Sequence, residues 1–123
     1  MILTLDFASD VPIYQQIRNA IVRAIADGQY LEGERLPTVR ALAQEAGINI
    51  MTVNKAYQLL KQEGYIITDR RNGATVGSGP GQAGLENARR HRLKEELKLI
   101  VAEAKLHGIS REELTELIRE LYH

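Results

Sequence analysis

Apolar residues return at helical intervals three times in the first half of the chain. Ile13, Ile17, Ile21 and Ile25 recur every four positions with Ala20 and Ala24 beside them, which puts one apolar stripe on a first helix. Pro12 stands where a first turn tolerates proline, and Asp27-Gly28 ends the pattern. Pro37-Thr38 opens a second helix, where Thr38 can cap free backbone N–H groups; its stripe is Val39, Leu42, Ala43 and Ala46. Gly47 stops that helix by supplying a left-handed conformation at little cost. Asn49 caps a third helix, which turns Val53, Ala56 and Leu60 inward and ends at Glu63-Gly64. The period then changes. Tyr65, Ile66, Ile67 and Thr68 form a short β-prone run, Asp69-Arg70-Arg71-Asn72-Gly73 follows, and Ala74-Thr75-Val76 resumes it. Asn-Gly between β-prone segments predicts a hairpin, because both residues accept positive φ.

The stretch 77–84, GSGPGQAG, holds four glycines and a proline. It cannot propagate a helix or a strand, so it reads as a linker. The expected organisation is a domain over 1–76, a Gly-rich linker over 77–84 and a two-helix region over 85–123. In the tail, Leu93, Leu97, Ile100, Val101 and Ala104 mark a long helix that ends at His107-Gly108. Ser110 and Glu113 have the spacing of a capping box, and Ile109 can staple against Leu114. Leu114, Leu117, Ile118, Leu121 and Tyr122 stripe a last short helix. Two such helices bury too little surface to be stable alone, which calls for a partner.

Composition narrows the function classes. At 44% apolar residues the chain can build a core. It has no cysteine, which removes disulfide scaffolds, thiol catalysis and thiolate metal sites. No apolar run approaches the roughly 20 residues of a membrane span, and Met1–Asp10 lacks a basic signal start, so a cytoplasmic protein off the membrane is expected. No catalytic constellation or cofactor motif appears. His91, His107 and His123 are too scattered to hold a metal. The run Arg89-Arg90-His91-Arg92 reads as a solvated helix face.

Charge first argues against nucleic acid. The net charge is zero, with eight basic and eight acidic residues on each side of the 76/77 boundary. The local pattern argues the other way. A small residue, Ala43, lies four positions before Gly47, with Ile48 and Val53 as apolar anchors; this is the spacing of a helix-turn-helix, whose second helix enters the major groove. The hairpin tip carries Arg70, Arg71 and Asn72 directly after that candidate recognition helix, where a wing can reach phosphates or the minor groove. The fold class expected is mainly α with a small β-hairpin wing: a winged helix-turn-helix, with the DNA-binding elements over Val39 to Val76, plus a C-terminal two-helix dimerisation tail.

The segments Leu36-Pro37-Thr38-Val39-Arg40-Ala41-Leu42-Ala43, Gly47-Ile48-Asn49, Thr52-Val53-Asn54-Lys55-Ala56-Tyr57 and Glu63-Gly64 resemble the GntR family of winged-helix transcription regulators. The opening Pro12-Ile13-Tyr14-Gln15-Gln16-Ile17 is also typical of it. The resemblance covers about 6–76, and the short tail is similar to the YtrA-like subfamily, in which two helices dimerise the protein without a large effector domain. It implies DNA contacts from Thr38, from Arg40 on the second helix, and from Asn49, Ile50, Met51, Thr52, Asn54 and Lys55 at the start of the third. On the wing, Gly73 matches the glycine that lets the hairpin tip approach DNA, beside the contacts expected of Arg70, Arg71 and Asn72 from their place at that tip. There are departures. Ile50 stands where many relatives have an arginine, so Ile50-Met51 offers apolar atoms able to meet thymine methyls instead of a bidentate guanine contact. The wing reads Arg71-Asn72-Gly73-Ala74-Thr75-Val76 rather than Gly-x-Gly-Thr-Phe-Val.

The function expected is a sequence-specific, homodimeric repressor on a palindromic double-stranded operator. Leu93, Leu97, Ile100, Val101, Ala104, Leu114, Leu117, Ile118 and Leu121 are its expected dimer interface. Pairing doubles the phosphate contacts, which answers the zero net charge. The alternative from another class is a winged helix used as a protein–protein adaptor. Nothing in the sequence marks a pocket for a small-molecule effector.

Overall fold

The computed structural model describes residues 3–71, 73–77 and 83–122. Five helices and one hairpin follow in the order α1 (Ile13–Ala26), α2 (Val39–Ala46), α3 (Ile50–Gln62), β1 (Ile66–Asp69), β2 (Gly73–Val76), α4 (Ala83–Leu106) and α5 (Arg111–Leu121). They form two compact units, one up to Gly81 and one from Gln82 onward. The mainly helical winged helix-turn-helix expected from the sequence is the observed fold.

In the first unit the periodic stripes meet in one core. Ile17 and Ile21 of α1, Leu42 and Ala43 of α2, and Val53, Ala56, Tyr57 and Leu60 of α3 are buried together. Ile13 and Ile25, at the two ends of the α1 stripe, are only half-buried. The caps fall where local chemistry puts them. Thr38 Oγ1 accepts from the Ala41 amide at 3.0 Å, and Asn49 Oδ1 accepts from the Met51 amide at 2.7 Å; each satisfies one of the orphan donors of a helix start. Gly47 ends α2 at φ 68, in the left-handed region that a side chain makes costly.

The hairpin pairs Ile66 with Val76 and runs to Asp69 opposite Gly73. Gly73 has φ 65, and the Asp69 carboxylate accepts from the Arg71 amide at 2.8 Å inside the turn. Asn72, the other half of the expected Asn-Gly signal, lies outside the described residues. A feature absent from the hydrophobic pattern is a third backbone segment on the free side of β2. Arg35 bridges Thr75, with the Leu36 amide donating to Ala74 O at 2.8 Å and the Val76 amide to Glu34 O at 2.9 Å. This pairing satisfies an edge that would otherwise expose unpaired backbone groups.

A half-buried ion pair ties α1 to the end of α3. Arg18 Nε donates to Glu63 Oε1 at 2.9 Å and Nη2 to Oε2 at 2.8 Å, a bidentate geometry. The same guanidinium lies 5.6 Å from the centre of the Tyr65 ring. Gly77, read as the first linker residue, is buried in this unit, and its amide donates to Tyr65 O at 2.8 Å. A Cβ there would sit 2.8 Å from Gly64 O. Of the rest of the expected linker, 78–82 lie outside the described residues, and Ala83 and Gly84 already belong to α4.

The second unit is a helix pair. Gly108 at φ 73 turns the chain, and the Ile109 amide closes back on Ala104 O at 2.9 Å. The capping box is formed: the Glu113 amide donates to Ser110 Oγ at 3.1 Å, and the Ser110 amide to the Glu113 carboxylate at 3.3 Å. Ile109 and Leu114 are both half-buried, as a staple requires. Ala104 is buried, whereas Leu93, Leu97, Ile100, Val101, Leu117, Ile118, Leu121 and Tyr122 are exposed.

Candidate nucleic-acid interface

The core stripe of α3 dictates what its other face presents. With Val53, Ala56, Tyr57 and Leu60 turned inward, helical geometry sends Met51, Asn54, Lys55 and Gln58 outward at i, i+3, i+4 and i+7. All four are exposed. Ile50 opens the helix beside them and Met51 is 74% exposed. Thr52 is half-buried.

The start of α2 is locked to this helix from within. The Tyr57 hydroxyl donates to Pro37 O at 2.6 Å, and burial, then the neighbouring Tyr30, pushes its pKa well above the ordinary tyrosine value. That bond fixes Pro37-Thr38 and so sets the origin of α2, on whose first turn Arg40 is exposed. Ala43, the small residue four positions before Gly47, is 6% exposed and belongs to the core that α2 and α3 share. The Ile48 amide returns to Ala43 O at 3.0 Å.

Two hollows flank α3. One, of about 220 Å³, lies between α3, the start of α2 and the hairpin; Thr38, Asn54, Gln58, Lys61, Thr68 and Gly73 are among its walls. The other, of about 570 Å³, opens toward the start of α1 and is lined by Ile13, Tyr14, Asn49, Met51, Thr52, Asn54 and Lys55. There the Lys55 ammonium stands 4.1 Å from the centre of the Tyr14 ring, a cation–π distance. Arg70 and Arg71 project from the hairpin turn and are exposed.

The expected site residues Thr38, Arg40, Asn49, Ile50, Met51, Asn54, Lys55, Arg70, Arg71 and Gly73 therefore share one unit and are exposed on it. Gln58, Lys61 and Tyr14 were not read from the sequence. Gln58 was within reach of it, being four residues after Asn54 and seven after Met51. Lys61 and Tyr14 depend on how α3 meets the hairpin and α1, which no local pattern encodes. In the tail, Arg92 of the basic run pairs with Glu96 at 3.1 Å with both side chains solvated. Among the described residues no group of three or more His, Cys, Asp or Glu side chains is placed to hold a metal. No helix among the described residues is long and apolar enough to cross a membrane.

A winged helix-turn-helix protein is the class that this arrangement defines. Residues 13–76 match the model of the bacterial regulatory proteins of the gntR family. The chain belongs to the GntR family. It is 34% identical over 119 residues to the HTH-type transcriptional repressor YtrA of Bacillus subtilis, covering 97% of this chain and 91% of that one. YtrA of Sulfolobus acidocaldarius, described as a GntR-family transcription factor, superposes with a TM-score of 0.62 at 33% identity, covering 96% of this chain and 94% of that one. A transcriptional antiterminator from Listeria monocytogenes EGD-e superposes with a TM-score of 0.83 at 28% identity, over 100% and 91%. Much longer relatives match over part of the chain, which spans about 15% of one of them.

Proposed function

We propose that this protein is a sequence-specific DNA-binding transcription regulator that acts in the cytoplasm as a homodimeric repressor on a palindromic operator. The observation that carries the reading is the hollow between α3, the start of α2 and the hairpin, with Thr38, Asn54, Gln58, Lys61 and Gly73 among its walls. Arg40 of α2 and Arg70 and Arg71 of the hairpin turn are exposed on the elements that wall this hollow, so the unit offers base-reading and phosphate-binding groups although the net charge is zero. In this reading α3 enters the major groove, Arg40 meets both the backbone and a base at its edge, Thr38 meets the backbone, and the wing touches the flanking phosphates. Asn72 belongs to the wing by sequence.

Dimerisation rests on the tail. Leu97 is 45% exposed, Ile100 49%, Val101 40%, Leu117 47% and Ile118 42%, an apolar surface that one copy leaves in water. A second copy paired through it buries these side chains and holds two α3 helices about one turn of DNA apart.

Arg40→Ala tests the reading. It should weaken operator binding by on the order of 1–3 kcal/mol if the guanidinium touches a base, measured by gel shift on DNA fragments selected by the protein. Unchanged affinity removes Arg40 from the interface. Wild-type binding should also fall steeply with salt through counterion release. A protein that retards no DNA even at low salt is an adaptor rather than a regulator of this kind.

A further inference from the structure

We infer that the reading face of α3 recognises the 5-methyl groups of thymine in an A·T-rich half-site, through Met51 and Ile50. The inference deepens the DNA-binding reading above and rests on it.

The side chains at the start of α3 divide by what already occupies them. Asn49 has its Oδ1 committed to the Met51 amide at 2.7 Å. Lys55 holds its ammonium 4.1 Å from the centre of the Tyr14 ring of α1. Besides the half-buried Thr52, the exposed groups left on the first two turns are Ile50, 41% exposed, Met51, 74% exposed, and the exposed amide of Asn54, with Gln58 one turn further on. No arginine stands in α3, so the fork that reads guanine O6 and N7 is absent from the helix. Aliphatic groups contact the thymine methyl in the major groove, and Asn or Gln amides pair with adenine N6 and N7. Both preferences belong to A·T pairs, so apolar and amide groups at i and i+3 select the same kind of step. Methionine suits the contact because its unbranched thioether adapts to a small apolar target.

The occupant is DNA rather than a protein for two reasons. Ile50 and Met51 are the exposed large hydrophobic residues of α3, too small a patch for a protein interface of roughly 800 Å² per partner. The same unit also exposes the cations Arg40 on α2 and Arg70 and Arg71 on the hairpin turn, which are complementary to phosphates.

The test replaces thymine by deoxyuridine, which deletes the methyl and keeps every hydrogen-bonding group. On an operator selected from random DNA, substituting one thymine at a time should weaken binding by about 4-fold at one or two positions per half-site, the size expected for one buried methyl. In Met51→Ala or Ile50→Ala the penalty at the matching position should vanish, so that thymine and deoxyuridine operators bind alike. Exchanging that T·A pair for C·G should weaken binding, and 5-methylcytosine there should recover part of the loss by restoring the methyl. Specific binding insensitive to deoxyuridine at every position overturns the inference while leaving the regulator reading intact. A penalty that persists in both alanine variants also overturns it. If no DNA is selected at all, the regulator reading fails and this inference with it.

Discussion

In the winged unit the apolar side chains close on one another: Ile17, Ile21, Val53, Ala56 and Leu60 are 0% exposed. In the tail the same residue types face outward, with Leu93 60% and Leu99 63% exposed and Ala104 the buried hydrophobic residue among those described. Both units have well-formed helices and side-chain caps, so local structure does not separate them. Burial does. The first unit carries its own hydrophobic driving force, whereas two helices with exposed stripes have little to offset the cost of ordering their backbone. An apolar pattern in sequence thus has two outcomes, a buried core or an exposed stripe, and periodicity alone does not distinguish them.

The sharpest way to break the comparison is to damage one residue of each kind. Leu60→Ala should destabilise the winged unit by about 2–5 kcal/mol, the usual cost of a cavity at a fully buried leucine, read by urea titration followed by circular dichroism. Leu97→Asp, at a position 45% exposed, should leave the melting of that unit within about 0.5 kcal/mol. It should also convert the dimer to monomers in light scattering and lower operator affinity more than tenfold through lost bivalency. A dimer that survives Leu97→Asp places the interface elsewhere and leaves the exposed stripe without a role in pairing.

What was legible beforehand follows the range of the interactions. Thr38, Asn49 and Ser110 bond to amides two or three residues away, so their roles are visible in a short window. Gly47 is legible for the same reason. The segment Gly33–Leu36 beside β2 was not: its bonds reach residues about forty positions on, and four residues carry too little periodicity to announce a strand. The pair Arg18–Glu63 spans 45 positions, and Lys55 meets Tyr14 across a similar separation. At the candidate site, the residues on α2, α3 and the wing could be named from their elements, while Lys61 and Tyr14 could not. Their positions depend on the packing of one element against another.

A smaller effect tests the locked junction between α2 and α3. Tyr57 is 4% exposed and its pKa is raised above the ordinary 10.0 by burial and by Tyr30. The folded state therefore favours the neutral phenol more than the unfolded chain does. The stabilisation is fully present below about pH 10 and is lost as pH rises beyond it, when the unfolded tyrosine ionises first. Melting temperature measured from pH 8 to 11 should fall at the alkaline end in the wild type and fall less in Tyr57→Phe, which at neutral pH loses about 1 kcal/mol with the bond to Pro37. Equal alkaline slopes in the two proteins would assign the effect to other groups.

The smallest changes compare like with like. Thr38→Ala and Ser110→Ala each remove one side-chain acceptor from a helix start, at 3.0 Å and 3.1 Å from its amide, and each should cost about 1 kcal/mol locally. The readouts should differ because the surroundings differ. The start of α2 is bound into a cooperative core, so Thr38→Ala should lower the melting temperature of the winged unit by about 4–8 °C. Helix α5 has eleven residues and none of them buried, so Ser110→Ala should leave that temperature unchanged and appear as faster amide exchange in α5. If tail folding and pairing are coupled, the loss counts twice per dimer, and the dimer dissociation constant should rise by about 30-fold. A Ser110→Ala protein whose winged unit melts earlier by the same amount as Thr38→Ala would show that the two units fold as one, against the contrast in burial between them.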